Sequence, residues 1–501
     1  MKYLIPLLSV ILLINFACTE EKAVTAENEP APEFNEPYRP QFHFTPAAGW
    51  MNDQNGMVYY KGEYHLFYQH YPDSTVWGPM HWGHAVSKDL IEWEHLPIAL
   101  FPDSLGTIFS GSAVIDNNNT SGLGTADNPA MVAIFTYHNS EGEKAKRDDF
   151  QTQGIAYSTD QGRTWSKYEN NPVLNNPGIR DFRDPKVAWV QSQNGEGKWI
   201  MTLAVKDRIS FYSSPNLIKW THESDFNPEW AAYGGVWECP DLFPLTTKEG
   251  EEKWVLLVSI NPGGPNGGSA TQYFVGNFDG SEFKVESSEV KWLDFGADNY
   301  AGVTWSDIPE GDGRRLFMGW MSNWLYADIV PTDNWRSAMT LPRALELVKL
   351  GEDYLVASRP VQELEKLRNA SEKVNGAEIA LSGELLEMEL TPSGEDFSVE
   401  FSNSAGEKLA LTKSGDNIIL DRSQSGIIDF SEPFGKPHNL PNLVGQVSDI
   451  RIFLDRSSVE VFINEGELVM TEVIFPTEPY NKVVLNGFQN ENTIYYLSSI
   501  W

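Results

Sequence analysis

Ser87-Lys-Asp-Leu-Ile-Glu-Trp93 decides the fold of this chain, because a similar stretch occurs twice more. Ser214-Pro-Asn-Leu-Ile-Lys-Trp220 has the same length, and Ser158-Thr-Asp-Gln-Gly-Arg-Thr-Trp165 carries one extra residue. Each stretch predicts the end of a strand, a turn, and a Trp that opens the next strand. Copies some 55–70 residues apart indicate the blades of a propeller with long connections. About 300 residues are available to these blades, and five blades fit that length best.

The rest of the chain also indicates β structure. Runs such as GEYHLFYQHY and KWIMTLAVK are separated by Gly, Asn, Asp or Pro about every ten residues. Near residue 342 the pattern of apolar residues changes. VQELEKL has apolar residues at helical spacing, and the strands predicted after it alternate between apolar and polar residues with period two. The sequence therefore predicts an all-β chain with a five-bladed β-propeller at residues 41–350, a linker with a short helix at 351–370, and a β-sandwich at 371–501.

The first residues predict an exported protein. A short basic start precedes an apolar run, Tyr3–Phe16, which is too short for a membrane span, and NFAC ends at Cys18. A small residue before a Cys is similar to the lipobox of bacterial lipoproteins, although Asn15 departs from the usual aliphatic residue. We expect a lipoprotein-type signal peptide at residues 1–18, lipidation of Cys18 and a flexible tether at 19–40. Ordinary cleavage and a freely secreted protein are the alternative.

The amino-acid composition limits the kinds of molecule that the protein is expected to bind. The 37 basic against 70 acidic residues give a net charge of −33, which argues against nucleic acid. The 17 Trp fit a protein that handles sugars, because apolar sugar faces stack on aromatic rings. No later apolar run is long enough to span a membrane, so the lipid anchor is the expected membrane contact. Nine scattered His and one further Cys, Cys239, give no metal-ligand spacing, and we expect no metal and no cofactor.

Three carboxylates stand in unusual settings: Asp53 in GWMNDQNG, Asp184 in DFRDPK and Glu238 in GGVWECPDLF. The innermost strands of a propeller would bring such positions together around the central channel. Cleavage of a glycosidic bond needs one carboxylic acid and one carboxylate. An apolar setting between Trp and Cys favours Glu238 as the acid, while a neighbouring Arg would keep Asp184 ionised. Asp is also common in ordinary turns, which remains the structural alternative.

These motifs resemble those of the family 32 glycoside hydrolases, which include invertases, inulinases and levanases. The family's Trp-Met-Asn-Asp-Pro-Asn-Gly matches Trp50–Gly56, with Gln54 in place of Pro. Its Arg-Asp-Pro matches Arg183–Pro185, and its Glu-Cys-Pro matches Glu238–Pro240. The motifs occur in the family's order, and stretches such as YHLFYQ and FSGSAV extend the likeness from about His43 to the final strands.

The resemblance implies roles for single residues. Asp53 would be the nucleophile, Glu238 the acid/base, and Asp184 a stabiliser that hydrogen-bonds fructosyl hydroxyls. The fructosyl pocket would be lined by Trp50, Met51, Asn52, Gln69, Trp77, Phe109, Ser110, Arg183 and Trp320. Taken alone, Gln69 and Ser110 would more often be structural polar groups, and Cys239 is expected to be a buried thiol that tunes Glu238.

The expected activity is release of terminal β-fructofuranosyl residues from inulin or levan, and from sucrose, with retention of configuration. GWMSNWLYADIVPT, residues 319–332, is more similar to exo-inulinases and levanases than to invertases. A sucrose-directed invertase and a non-catalytic fructan-binding lipoprotein are the alternatives. The preference between β-2,1 and β-2,6 linkages and the oligomeric state stay open. The Trp residues of the three repeats are expected to be blade core.

Overall fold

The computed structural model describes residues 34–191, 197–374 and 377–501, in which seven sheets are formed. Five sheets follow one another along the chain as the blades of a propeller, and their innermost strands pack side by side around a central channel. The strands of blades 1 and 2 are Gly49–Tyr60, Glu63–Tyr71, His81–Ser87 and Trp93–Leu100, then Thr107–Ile115, Met131–His138, Gln151–Ser158 and Ser166–Lys167.

The other three blades continue this order outward from the channel. Blade 3 consists of Phe182–Gln191, Gly197–Val205, Arg208–Ser214 and Thr221–Phe226. Blade 4 consists of Val236–Thr246, Glu252–Asn261, Ala270–Phe278, Phe283–Val285 and Lys291–Trp292. Blade 5 consists of Tyr300–Thr304, Arg315–Met321, Ala338–Met339, Arg343–Leu350 and Asp353–Pro360. A further short strand, Trp335–Arg336, pairs in parallel with the start of blade 1 and so joins the last blade to the first.

The three repeated stretches lie at equivalent turns, between the third and fourth strands of blades 1, 2 and 3. In each copy the indole N–H of the Trp donates to the carbonyl three residues earlier, at 3.1 Å for Trp93 and 3.0 Å for Trp165 and Trp220. The opening Ser hydroxyl accepts from the backbone N–H two residues later. The repeat is therefore a turn that holds its own Trp against the blade: Trp93 is buried in a core cluster, and Trp165 and Trp220 are partly buried and pack against one.

The C-terminal part forms two six-stranded sheets that enclose one apolar core. One sheet contains Arg368–Val374, Leu386–Leu390, Ile450–Asp455, Ser458–Ile463, Leu468–Val473 and Asn492–Leu497. The other contains Glu378–Ala380, Phe397–Ser402, Lys408–Ser414, Asn417–Gln424, Pro437–Pro441 and Lys482–Asn486. The predicted all-β chain with a five-bladed propeller and a β-sandwich is confirmed.

Two details differ from the predictions. Asp353–Pro360 pairs with Arg343–Leu350 inside blade 5, so the propeller continues past residue 350 into the predicted linker. The short helix predicted in the linker is present as a 3-10 helix, Gln362–Leu367. The proposed signal peptide, Cys18 and the tether up to residue 33 lie outside the described residues. From residue 34 onward the chain packs on the domain, and Arg39 is fully buried with its guanidinium on Glu36 at 2.6 Å, so residues 34–40 are not a flexible tether.

Buried ion pairs join the propeller to the sandwich. The sandwich strand Ser458–Ile463 alternates in sequence, yet it is buried along its whole length. Its Glu460 faces the propeller, where it binds Arg343 at 2.5 Å and the imidazole of His43 at 3.0 Å. The opposite face of the same strand packs in the sandwich core. A carboxylate buried without partners would be costly, so these pairs are what allow the charged face to be covered.

The helices among the described residues are short. The α-helix Ser140–Lys144 and the 3-10 helix Ala327–Ile329 lie in loops of the propeller. Across residues 34–191, 197–374 and 377–501, no helix is both long and apolar enough to cross a membrane.

Candidate active site

The innermost strand of every blade carries a pairing irregularity close to its start. A bulge inserts an extra residue, bends the strand and re-aims its side chains. Because all five innermost strands run the same way along the channel, the five bulges meet at one end of it. The residues within or beside these bulges include Asp53, Ser110, Asp184, Cys239 and Ala301.

Three of these residues have left-handed backbone conformations, with φ of 62° at Asp184, 45° at Cys239 and 55° at Ala301. Such angles are uncommon outside glycine and are found where surrounding contacts enforce them. Here the amide N–H of Asp184 donates to the Thr136 hydroxyl at 3.0 Å, and the amide N–H of Cys239 donates to the Asp184 carboxylate at 3.1 Å. The bulges of blades 3 and 4 are therefore tied to each other and to blade 2.

Asp53 lies half-buried between two hydrogen-bond donors. The Ser110 hydroxyl donates to one carboxylate oxygen at 2.7 Å, and the Asn52 amide donates to the other at 3.1 Å. The Trp50 indole N–H fixes Asn52 in turn, by donating to its side-chain oxygen at 2.7 Å. Burial and the nearby charge of Glu238 raise the pKa of Asp53, while the two donors oppose that shift. The donors thus favour an ionised carboxylate in a fixed orientation.

Glu238 is bound through both oxygens. Arg183 donates to Oε1 from Nη2 at 2.9 Å and from Nε at 3.3 Å, and the Tyr300 hydroxyl donates to Oε2. The sequence places a Trp and a Cys on either side of Glu238, but alternate residues of a strand point to opposite faces. The Trp237 indole is fully buried inside the blade, where its N–H donates to a carbonyl at 3.0 Å. The expected apolar surroundings of Glu238 are therefore wrong, since its neighbours are an Arg and a Tyr.

The groups around Asp184 shift the pKa of its carboxyl in a different direction from the expected one. Burial raises its pKa to about 7, and the charge of Arg183 only partly offsets this. Arg183 makes its short contacts with Glu238 at 2.9 Å and Asp181 at 2.7 Å, whereas its Nε lies 3.8 Å from the Asp184 carboxylate. The nearby carboxylates add to the rise. The neighbouring Arg therefore lowers the pKa of Asp184 less than the sequence suggests, because its shortest contacts are with Glu238 and Asp181.

Cys239 is a buried thiol, as expected, but it does not contact the carboxylate of its neighbour Glu238. Its sulfur lies 3.6 Å from the Asp53 carboxylate and 3.7 Å from that of Asp184. Burial and the surrounding carboxylates raise the pKa of the thiol well above its usual value. Cys239 is thus a neutral S–H donor between two carboxylates.

The three carboxylates line a pocket of about 270 Å³ at the bulged end of the channel. The predicted site residues that line it are Asn52, Asp53, Gln69, Trp77, Phe109, Ser110, Arg183, Asp184 and Glu238. Three others, Trp50, Met51 and Trp320, are fully buried behind the wall. The Trp320 indole N–H donates to the Met51 carbonyl at 3.2 Å, and Trp324, which lines the pocket, packs on both Trp50 and Trp320. These buried Trp residues support the lining residue and do not reach the pocket themselves.

Sequence reasoning missed several lining residues: His138, Glu143, Phe150, Gln151, Asp181 and Trp324. Glu143 belongs to the five-residue helix Ser140–Lys144, and its carboxylate pairs with His138 at 3.1 Å. Nothing in the composition of that loop marks it as part of a pocket. Trp324 lies in the stretch 319–332 that resembles exo-inulinases and levanases, so the sequence does carry a signal for it, four residues beyond the predicted Trp320.

Gln54 is the departure from the family motif. Its side chain is buried, and its amide donates to the carbonyl of Ala301 in the bulge of blade 5. The residue therefore connects the bulges of blades 1 and 5.

Metal binding has no support in the part of the chain that the structure describes, where no group of three or more His, Cys, Asp or Glu could hold an ion. The site combines adjacent carboxyl groups with an Arg, a Tyr and a thiol. Two carboxyls that flank a substrate bond are the machinery of a glycoside hydrolase, in which one protonates the leaving oxygen and the other attacks or activates water. The fold and site together thus define a propeller glycosidase.

Comparison with known proteins gives the family. Residues 43–359 match the glycosyl hydrolases family 32 N-terminal domain, and residues 358–500 match the glycosyl hydrolases family 32 C terminal. The chain belongs to glycoside hydrolase family 32.

Its relatives share most of this length. A levanase of Bacillus subtilis is 46% identical over 98% of this chain and 75% of its own length. An extracellular exo-inulinase of Aspergillus awamori is 37% identical over 93% of this chain and 96% of its own. A crystal structure of exo-inulinase from the same fungus superposes with a TM-score of 0.84 at 35% identity, covering 93% of this chain and all of the other.

Proposed function

We propose that the protein is an exo-acting β-fructosidase that removes terminal fructosyl units from levan or inulin, and also cleaves sucrose. The observation that carries this proposal is a small pocket, closed at its inner end, with Asp53, Asp184 and Glu238 around it. The named activities of the relatives, levanase and exo-inulinase, agree with it. The intact carboxylates argue against a binding protein without catalysis.

The closed inner end follows from a layer across the channel. Lys186, Asp241 and Thr304 come from the innermost strands of blades 3, 4 and 5. The Lys186 ammonium donates to the Thr304 carbonyl and lies 3.5 Å from the Asp241 carboxylate, which accepts from the Thr304 amide at 2.7 Å and hydroxyl at 2.8 Å. We call these three residues the channel layer. A polymer cannot pass through it, so only a chain end can enter the pocket from the open side.

In the proposed mechanism the Asp53 carboxylate attacks the anomeric carbon of the terminal fructosyl unit, and Glu238 gives a proton to the leaving oxygen. Water then cleaves the fructosyl–enzyme bond, with Glu238 as the base. Ser110 and Asn52 hold the nucleophile, as described above. Asp184 faces the same pocket and can bind hydroxyls of the fructosyl unit. Double displacement requires the two reacting carboxyls to be roughly 5–5.5 Å apart and retains configuration.

The early products from polymer test the exo assignment. We expect free fructose from inulin or levan at low conversion, with slow loss of polymer length. Sucrose and both polymers are compared in parallel, and their relative kcat/KM separates a fructan-directed enzyme from a sucrose-directed invertase. A ladder of oligosaccharides at low conversion would overturn the exo assignment.

Two variants test the roles of the carboxyls. Asp53→Asn is expected to abolish turnover on every substrate, because it removes the attacking group. Glu238→Gln is expected to be severely slow on fructans but to keep more activity on a fructoside with a good leaving group, which needs less protonation. Equal losses of Glu238→Gln on both substrates would contradict the acid role.

We further propose that the protein is exported and lipid-anchored through Cys18. The apolar run that ends in NFAC supports this, and the fungal relative is named as extracellular. Cys18→Ala is expected to move the protein from the membrane fraction to the soluble fraction, because the acyl chains attach there. Unchanged membrane association of Cys18→Ala would refute the anchor.

A further inference from the structure

A second cavity, of about 480 Å³, opens at the other end of the propeller channel, and we call it the distal cavity. The innermost strand of blade 3 reaches both ends: Asp184 lies in the catalytic pocket, and Trp189, five residues further on, lines the distal cavity. At ~3.3 Å per residue these positions are roughly 16 Å apart. The channel layer lies between them, so the two cavities are separate sites.

The distal cavity has an aromatic wall. The Trp189 ring is 37% exposed and packs edge-to-face on Trp199, with ring centres 5.1 Å apart. The ring also rests on the backbone of Gly197, where a Cβ would lie 2.2 Å from a ring carbon. Only glycine at that position leaves room for this ring orientation. Trp189 is therefore held rigidly while part of its surface remains open to the cavity.

The rest of the wall offers donors and acceptors. The Arg315 guanidinium lies 5.0 Å above the Phe243 ring and makes no hydrogen bond or ion pair with any residue that the structure describes. Asp307 is exposed, and one of its carboxylate oxygens accepts from a backbone amide at 2.9 Å. Two further amide side chains, Asn117 and Asn118, are exposed at the rim. The cavity thus combines a flat apolar surface with hydrogen-bonding groups of both kinds.

We propose that the distal cavity binds a segment of fructan chain at a distance from the catalytic pocket. A fructosyl unit has an apolar face for Trp189 and hydroxyls that can both donate and accept, which suits Arg315 and Asp307. A neutral ligand fits better than an anion, because Asp241 and Asp307 balance Lys186 and Arg315 in the lining and the whole chain carries a net charge of −33. The identity of the sugar rests on the proposed function, since the same polymer would occupy both sites.

The role of such a site is retention of polymer. A chain whose end enters the catalytic pocket cannot pass through the channel layer, so a segment bound in the distal cavity must reach it around the outside of the propeller or come from another molecule. Binding there raises the local concentration of chain ends and distinguishes long fructans from sucrose, which is too short to span the two sites.

Affinity electrophoresis in gels containing levan or inulin tests the site. All variants are made in the Asp53→Asn background, so that polymer is not consumed and the catalytic pocket contributes equally to each. Trp189→Ala is expected to weaken the apparent affinity for polymer about fivefold or more, and Trp189→Phe, which keeps an aromatic ring, to retain most of it. Ile419→Ala is the matched control, because it truncates a sandwich side chain that is 38% exposed.

Arg315→Gln provides a second variant on the opposite part of the wall, and weaker retardation of this variant is also expected. Melting temperatures identify any variant that fails to fold, in which case Arg315→Gln decides the question. Equal retardation of folded Trp189→Ala, Arg315→Gln and the background protein would overturn the proposal. That result leaves fructose release by the wild-type protein untouched, so failure of the distal site and failure of the proposed function are observed separately.

Discussion

Because of His43, the free energy of unfolding of this protein is expected to depend on pH. Substitution of His43 is expected to remove that part of the pH dependence. The imidazole belongs to the segment that leads into the propeller and is fully buried against the sandwich. Its Nδ1 lies 2.8 Å from the Asp455 carboxylate, and its Nε2 lies 3.0 Å from that of Glu460. Asp455 also accepts from the backbone amides of Gln41 and Phe42, so it is fixed in place. Both ring nitrogens therefore meet carboxylates, which favours the imidazolium.

The size of the effect follows from the pKa. Burial alone would lower the pKa of His43, but the two carboxylates outweigh it and raise the pKa from 6.5 to about 9. Because the folded protein then binds the proton more tightly than the unfolded chain, the contribution is fully present below pH 6.5. It is lost as the pH rises through about 9. A shift of this size corresponds to roughly 3 kcal/mol in the free energy of unfolding.

The assay is urea unfolding at several pH values between 6 and 10, for the wild-type protein and His43→Gln. Gln can still hydrogen-bond but does not titrate. We expect the stability advantage of the wild-type protein over His43→Gln to shrink by roughly 3 kcal/mol across this range. The control is His222→Gln, since His222 is an exposed residue of blade 3 away from the interface. A wild-type advantage over His43→Gln that stays constant with pH would refute the reasoning.

Two further predictions concern the site and the domain interface. Ser110→Ala is expected to lower kcat/KM by roughly tenfold to a hundredfold and to move the acidic limb of the pH profile upward, because the lost hydrogen bond holds down the pKa of Asp53. Ser281→Ala, which removes a similar Ser–Asp bond in a blade 4 turn, should leave kinetics unchanged, and an unmoved limb in Ser110→Ala would contradict the role. Gly296→Ala is expected to cost about 1–3 kcal/mol of stability, since its Cβ would lie 2.1 Å from a backbone oxygen of the facing sandwich strand. Gly394→Ala has open space around it and is the control, and equal stability of the two variants in urea would refute the clash.

The fold was predictable because its signal is local. Each repeated turn makes its own contacts within a few residues, so Trp93, Trp165 and Trp220 mark blades whatever their surroundings. Burial at the domain interface gives no comparable signal. The alternation around Glu460 is the ordinary pattern of a half-exposed strand, and only the position of Arg343, more than a hundred residues earlier, makes the charged face buried. Long-range pairs of this kind cannot be inferred from the spacing of residues in one strand.

The contacts in the active site are even harder to infer from the spacing of residues along one strand. A strand that follows period two sends alternate side chains to opposite faces, and on that rule Glu238 and Cys239 should not serve one pocket. Bulges in the innermost strands interrupt this alternation at the end of the channel where the five strands meet. The thiol of Cys239 consequently reaches the carboxylates of blades 1 and 3, and the Arg beside Asp184 in sequence makes its shorter contact with Glu238. Motif resemblance identifies which residues gather at the site, since the bulges lie within the motifs. The bulges decide which way these side chains point, and so which charged groups lie near Asp184 and shift its pKa. The neighbours of a residue in sequence do not determine this.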